Sequence, residues 1–462
     1  MTEKRDCGIG RGPTPRRILI LGAAGRDFHD FNVVYRGDPN VRVVAFTAAQ
    51  IPGIAGRHYP PSLAGQLYPD GIPIEDEANL EAICRRERVS EVVLAYSDIS
   101  HEEVMHRASR ALAAGADFVL LGPNRTMLRA QRPVIAISAI RTGCGKSQTA
   151  RWLGRRLRSQ GLRVAVLRHP MPYGDLERER VQRFATLADL EGAACTLEER
   201  EEYEPHLAAG NVVFAGVDYA AILAAAQAEA DVLVWDGGNN DFPFLRPDLH
   251  VVLTDALRPG HATHYHPGEA VLRMADVVVV AKTDAASVAE VERVVDEARA
   301  VNPRATLVRA ASPVRLDDPD AVRGRRVLVV EDGPTLTHGS MSYGAGLVAA
   351  MRAGAAEIVD PRPYLAPALR AVFAQYPNLG PVLPAIGYDP AQIAALRDTI
   401  DAAGVDVVVA ATPINLIAFV HPRTKVVRAR YEYADAGEPT LGGVVDAFLA
   451  RPLRLPSAGP SQ

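Results

Sequence analysis

Two glycines, a lysine and a hydroxyl in the order Thr142-Gly143-Cys144-Gly145-Lys146-Ser147 stand between the apolar run Val134-Ile135-Ala136-Ile137-Ser138 and the amphipathic stretch 148–157. A buried strand, a glycine turn and a helix in that order make an anion site. Glycines let backbone N–H groups curl round phosphate oxygens, and the helix N-terminus adds its dipole. Lys146 is placed to reach the β- and γ-phosphates and Ser147 to hold Mg2+, with Thr142, Gly143, Cys144, Gly145 and Gln148 around the polyphosphate. The ligand expected is a purine nucleoside triphosphate and the chemistry is phosphoryl transfer. The first glycine of the common loop spacing falls at Ile140. The closer pattern is therefore the deviant loop Lys-Gly-Gly-x-Gly-Lys-Ser/Thr, with Arg141 at its signature lysine and Thr142 at its first glycine.

The partners of such a loop follow in order. Asp231-Val232-Leu233-Val234-Trp235-Asp236 is a hydrophobic strand ending in a carboxylate, and Asp236 is the second half of a magnesium site with Ser147. Asn239, Asn240 and Asp241 come next in a glycine-rich turn, at the strand end where ligands sit in open α/β sheets. Lys282-Thr283-Asp284 follows the run 277–281, so Lys282 is placed to pack on a purine base and Asp284 to read its edge. Ala281 replaces the asparagine usual in guanine readers, which leaves ATP and GTP both open. Arg168, His169, Arg258, His261 and His338 lie in glycine- or proline-bearing loops, several just after strands, and would supply cations and donors for a second anionic ligand. Arg26, in the turn Gly22-Ala23-Ala24-Gly25, is either a further phosphate contact or a structural group.

With these residues laid out, the chain resembles the cyclic 2,3-diphosphoglycerate synthetase family. The segments that carry the resemblance are 168–176, 198–204, Trp235-Asp236-Gly237-Gly238-Asn239-Asn240-Asp241-Phe242-Pro243, Arg258-Pro259-Gly260-His261 and 331–339. The resemblance implies an ATP-dependent ligase in which the γ-phosphoryl passes to 2,3-diphosphoglycerate. The neighbouring phosphate then closes an intramolecular anhydride. Arg168, His169, Lys146 and Asp236 would be the catalytic set, with Arg26, Asn239, Asn240, Asp241, Arg258, His261 and His338 on the substrate. Two alternatives remain open at this point: a ligase for another phosphorylated acid, and a GTPase switch or metal-delivery chaperone.

The elements that must position these groups read as α/β. β-Branched runs at 17–21, 41–46, 91–96 and 117–121 alternate with helical stretches at 79–87 and 101–114, which predicts a Rossmann-like N-terminal domain over residues 1–130. Residues 131–312 predict a doubly wound, mostly parallel P-loop core, and 313–462 an α/β extension of it. The 462 residues exceed the roughly 250–300 at which single cores stop growing. The glycine turn at 22–25 lacks the later glycine and the acid of a dinucleotide fingerprint, so NAD is not expected.

A net charge of −4 gives no general reason to bind nucleic acid, and no apolar run reaches the roughly 20 residues of a spanning helix. Four scattered cysteines without a paired CxxC argue against a disulfide framework or structural zinc. The expected setting is the cytoplasm, and a homodimer is compatible with these features. Lys146→Ala is predicted to abolish turnover. Full activity of that variant in a coupled ADP-release assay would remove the loop from the mechanism.

Overall fold

The computed structural model describes residues 14–23, 25–48, 56–168, 174–238, 241–337, 341–385, 390–413 and 415–451. His169, Asn239, Asn240 and His338 lie outside these residues. By backbone contacts the chain divides into two compact units. One holds 1–96, 102–127 and 171–180, and the other 97–101, 128–170 and 181–462. No described helix is long and apolar enough to cross a membrane.

In the first unit the strands are β1 (Arg16–Leu21), β2 (Val41–Ala48), β3 (His58–Tyr59), β4 (Ile72–Asp76), β5 (Glu91–Leu94) and, after a two-residue strand β6 (Ile99–Ser100) that belongs to the second unit, β7 (Asp117–Leu120). Their order is β3-β4-β2-β1-β5-β7, parallel except for β3. Ile18 to Leu21 of β1 are fully buried, as a central strand covered on both faces requires. In the turn after β1, Asp27 Oδ1 accepts the N–H groups of Gly25 at 3.1 Å and Phe28 at 2.7 Å. A Cβ on Gly22 would stand 2.7 Å from Asp27 Oδ2, so the chain's own carboxylate fills the turn and takes donors that a dinucleotide phosphate would use. Arg26, in the short helix α1 (Arg26–Asp30), is buried and pairs with Asp30 at 3.5 Å.

The second unit is built on β8 (Val134–Ala139), β9 (Val164–Arg168), β10 (Gln182–Phe184), β11 (Val212–Ala215), β12 (Val232–Asp236), β13 (Leu249–Asp255), β14 (Tyr265–His266), β15 (Val277–Ala281) and β16 (Thr306–Ala311). Seven of these run parallel in the order β11-β9-β12-β8-β13-β15-β16, with β10 antiparallel at one edge. Strand β14 pairs instead with β6. The helix α2 (Lys146–Ser159) leaves the glycine turn after β8, and the helix α3 (Leu197–Ala208) runs before β11.

Residues from 313 onward form a sheet of their own. Strands β17 (Val314–Leu316), β18 (Arg326–Asp332), β19 (Glu357–Ile358), β20 (Leu383–Ala385), β21 (Val407–Ala411) and β22 (Lys425–Tyr431) take the order β17-β22-β21-β18-β19, with β20 also on β18. The last strand, β23 (Ala434–Asp435), crosses to β16 and closes the other edge of the P-loop sheet. The C-terminal segment, expected as an extension of the core, thus forms a third sheet, parallel apart from β17, and lends one strand to the P-loop sheet. Between 361 and 375 the chain is extended at Ala366, which precedes Pro367, and only Pro367–Gln375 is α-helical.

The helix α4 (Ala345–Arg352) lies on the new sheet through Gly346, where a Cβ would come within 2.8 Å of Ala411 Cβ and 2.9 Å of Val329 Cγ1. Gly346→Val is expected to lower stability by about 1–3 kcal/mol through overpacking. An unchanged urea midpoint would show that α4 does not pack as described.

Candidate functional site

Gly143 and Gly145 adopt φ of 84° and 103°, the left-handed backbone that curls the loop, and Gly145 is the N-cap of α2. A Cβ at Gly145 would stand 2.5 Å from Gln148 Nε2. Lys146 is buried at the head of α2, where burial pulls its pKa down against the opposing field of Asp236. Ser147 is the next residue of that first turn.

Strand register decides what faces the loop. Asp236 ends β12 with Ile137 of β8 on one side and Arg168 of β9 on the other. Its carboxylate has no exposure, and Oδ2 meets Arg168 Nη1 at 2.6 Å and the His206 Nε2–H at 2.9 Å. Burial alone would raise this carboxyl. Arg168, His206 and Lys146 outweigh it and hold the pKa below the usual carboxylate range. His206 Nδ1 lies 3.2 Å from Asn211 Nδ2, and burial lowers the imidazole's pKa against the bond to Asp236. Arg168 also donates to the Asp236 carbonyl at 3.2 Å and Ser147 Oγ at 3.4 Å, and pairs through Nη2 with Glu202. Among the described residues Asp236 Oδ1 is buried with no hydrogen-bond partner.

Behind the loop, Arg258 donates to the Thr142 carbonyl at 2.8 Å and to Asp255 at 2.9 Å, and contacts Cys144 Sγ at 3.4 Å. Arg141 pairs with Asp98 at 2.7 Å and lies 3.6 Å from the centroid of the Tyr265 ring, while Asp98 Oδ2 accepts the Thr142 N–H at 3.2 Å. The arginine at the signature-lysine position thus braces its own loop. His261 is half-buried, with Nδ1 3.4 Å from Arg141 Nη1. Burial, then Arg258 and Arg141, lower its pKa to about 4, so at neutral pH it carries no charge to offer an anion.

One cavity of the second unit gathers the rest. The phosphate loop, Gly237, Gly238, Lys282 and Asp284 line it from one side, and Glu331, Asp332, Gly344, Ala411 and Tyr431 from the other. Its walls hold five cationic side chains, Lys146, Arg151, Arg168, Lys282 and Arg352, against five acidic ones, Glu201, Glu202, Asp284, Glu331 and Asp332. Lys282 Nζ is held by Asp255 at 2.7 Å. Asp284 Oδ1 accepts the Ser312 N–H at 2.8 Å, and Gln148 Nε2 donates to Ser312 Oγ at 3.0 Å. Glu331 accepts the N–H groups of Gly344, Gly346 and Leu347 at the start of α4. Burial nevertheless pushes its pKa up to about 7, with those N–H bonds pulling the other way.

Of the groups read from sequence, the structure brings together Thr142, Gly143, Gly145, Lys146, Ser147, Gln148, Arg168, Lys282 and Asp284 on this cavity, with Asp236 behind Arg168 and Ser147. Arg258, His261, Cys144 and Asp241 are absent from its lining, and Asp241 is buried. Arg26 belongs to the first unit. His206, Arg151, Glu201, Glu202, Glu331 and Tyr431 were not singled out. The signal for His206 was the capping pattern Thr196-x-x-Glu199, which starts α3 and is formed in the structure.

A relative named arginine synthetase ArcE, from Thermococcus kodakarensis, is 55% identical over 433 residues, covering 94% of this chain and 97% of the relative. The chain belongs to this arginine synthetase family. It is accordingly an enzyme of synthetase type. The name differs from that of the cyclic 2,3-diphosphoglycerate synthetases, which the motifs had suggested. No protein-family model matches the chain. Among solved structures, LpxK from Aquifex aeolicus in complex with ATP is similar at a TM-score of 0.38 and 14% identity, covering 75% of this chain and 95% of that one. The hydrogenase maturation factor HypB from Archaeoglobus fulgidus is similar at 0.26 and 15%, covering 45% and 88%.

Gly154 of α2 has no side chain because Asn211 fills the space: a Cβ there would lie 2.4 Å from Asn211 Oδ1. Gly154→Ala is expected to destabilise by about 1–3 kcal/mol, and much less in an Asn211→Ala background where the space is vacant. Equal costs in both backgrounds, measured by equilibrium unfolding, would break the proposed chain from α2 through Asn211 to His206.

Proposed function

We propose that the chain is an ATP-dependent synthetase that completes a guanidino group on an amino acid, with arginine as its product. The γ-phosphoryl of ATP passes to the oxygen of a terminal ureido group: an O–P bond forms, and the bond from Pγ to the bridging oxygen breaks with release of ADP. A nitrogen nucleophile then adds at the activated carbon, the C–O bond breaks with release of phosphate, and the nitrogen gives up a proton. The observation that carries this reading is the amphoteric cavity. Its phosphate loop faces a wall with Glu201, Glu331 and Asp332, which suits an acceptor bearing positive charge. The name of the family member supports the same product. Two phosphates of 2,3-diphosphoglycerate would have to lie against that acidic wall, which places the phosphorylated-acid reading second.

Within this reading Lys146 holds the β/γ end of the triphosphate, and Arg168 spreads the charge of the phosphoryl in flight from its seat between Ser147 and Asp236. Ser147 Oγ and the partnerless Asp236 Oδ1 fit Mg2+, because a buried carboxylate oxygen without a donor is satisfied by a cation. When bound, the ion would neutralise charge on the β- and γ-phosphates. Lys282 and Asp284 flank the base end of the cavity, and ATP is the proposed nucleotide.

The test uses purified protein with ATP, Mg2+, an amino acid bearing a terminal ureido group labelled with heavy oxygen, and ammonium. Arginine, ADP and phosphate should appear together, with the label carried into the phosphate. Phosphate release that ignores the ureido compound but follows 2,3-diphosphoglycerate would reverse the order of the two readings.

A further inference from the structure

Helix α2 carries arginines along one flank, and all but one of those nearest the third sheet have carboxylate partners. Arg155 meets Glu432 at 3.3 Å, and Arg156 meets Asp446 at 2.5 Å. Arg151 has no ion pair or hydrogen bond among the described residues, although it lines the cavity and is partly buried there. It lies four residues after Ser147, so the two share a helix face with Arg151 one turn, about 5.4 Å, farther from the phosphates. The groups around it come from the opposite wall. Tyr431 ends β22, and Glu331 and Asp332 end β18, the carboxyl edge at which open parallel sheets bind ligands. Burial lowers the pKa of Arg151, and Tyr431, Asp236 and Glu432 act against that. A partly buried guanidinium without a carboxylate partner gains when an anion meets it. The two carboxylates across the cavity already hold the starts of helices, Glu331 at α4 and Asp332 through the N–H and hydroxyl of Thr335. Both are already positioned, so no ligand needs to order them; Glu331, with its pKa pushed up to about 7, is only partly ionised at neutral pH.

Resting on the amino-acid reading above, we propose that this corner is the α-amino-acid anchor of the acceptor: Arg151 binds its α-carboxylate, and the Glu331–Asp332 strand end faces its α-ammonium. The acceptor's side chain then points back along the α2 face toward Ser147 and the phosphates. A cation on one wall and a positioned acidic strand end on the other select a zwitterion and set the distance from its head to the reacting end.

Calorimetric titrations of arginine and of agmatine, which lacks the α-carboxylate, into the ADP-loaded full chain test this. The wild type should bind arginine at least about tenfold more tightly than agmatine, the worth of one charge-assisted hydrogen-bonded pair. Arg151→Gln should bring the two within about twofold of each other, and Arg151→Lys should restore part of the preference. A preference that survives intact in Arg151→Gln overturns the proposal and leaves the arginine reading standing. A loss of ADP affinity as large as the loss for arginine overturns it differently, by making Arg151 a phosphate contact. No arginine binding to the wild type brings down the arginine reading and the anchor with it.

Discussion

The charge around which the second unit is arranged is the carboxylate of Asp236. It lies at the end of a central strand with no exposure to solvent, where an ion is tolerated only if partners replace its lost hydration. Parallel register supplies the first partner, since Arg168 stands beside it on β9. The second, His206, comes from α3 and lies against Asn211, which is itself wedged against Gly154 of the phosphate-loop helix. Removing one member of such a buried set typically costs about 3–5 kcal/mol, because the remaining charge is left without compensation. The loop, the two strands and α3 are therefore held in mutual register by the same ion that would face the metal.

A second constraint shapes the cavity. Two parallel sheets turn their carboxyl edges to one cavity, and their spacing is set by more than packing. Strand β23 crosses from the third sheet to pair with β16. On the far side of α2, Trp152 meets Tyr433 with ring centroids 4.6 Å apart, next to the Arg155–Glu432 pair. The helix whose first turn would bind phosphate is thus also the helix that meets the end of the facing sheet. Catalysis by positioning requires that the reacting groups share a rigid support, and a single helix serving both ends of the cavity provides it.

The sequence made legible what is local. A strand, a glycine turn and a helix follow one another in the chain, so Lys146, Ser147 and the carboxylate at the end of β12 could be read from type and spacing alone. His206 could not, because α3 begins Leu197-Glu198-Glu199-Arg200-Glu201-Glu202 and carries little apolar periodicity to announce its buried face. Arg258 and His261 were legible as loop cations but not in their direction. The fold turns Arg258 to the Thr142 carbonyl and sets His261 against Arg141, where neighbouring cations keep it neutral. Arg141 likewise finds Asp98, 43 residues earlier, a contact that no local pattern encodes. Whether the strands after residue 313 extend the core sheet or pack beside it stayed open in the sequence, because parallel strands look alike whether they join an existing sheet or start another.

The motifs that resemble cyclic 2,3-diphosphoglycerate synthetases divide along the same line. Arg168, Gly237 and Gly238 line the cavity with the phosphate loop, where they suit any reaction in which a γ-phosphoryl moves to an acceptor oxygen. What distinguishes one acceptor from another is the facing wall, where Glu331 and Asp332 precede Gly333-Pro334-Thr335. A motif shared there fixes backbone geometry, since both carboxylates hold helix starts. It does not fix the sign of the ligand, which follows from the field of the whole cavity. Five acidic groups there stand against five cations, with Arg168 and Lys282 already in ion pairs with Asp236, Glu202 and Asp255, so the cavity offers both signs of charge. On the reading proposed above, a zwitterion with a cationic end finds complementary charge on both walls.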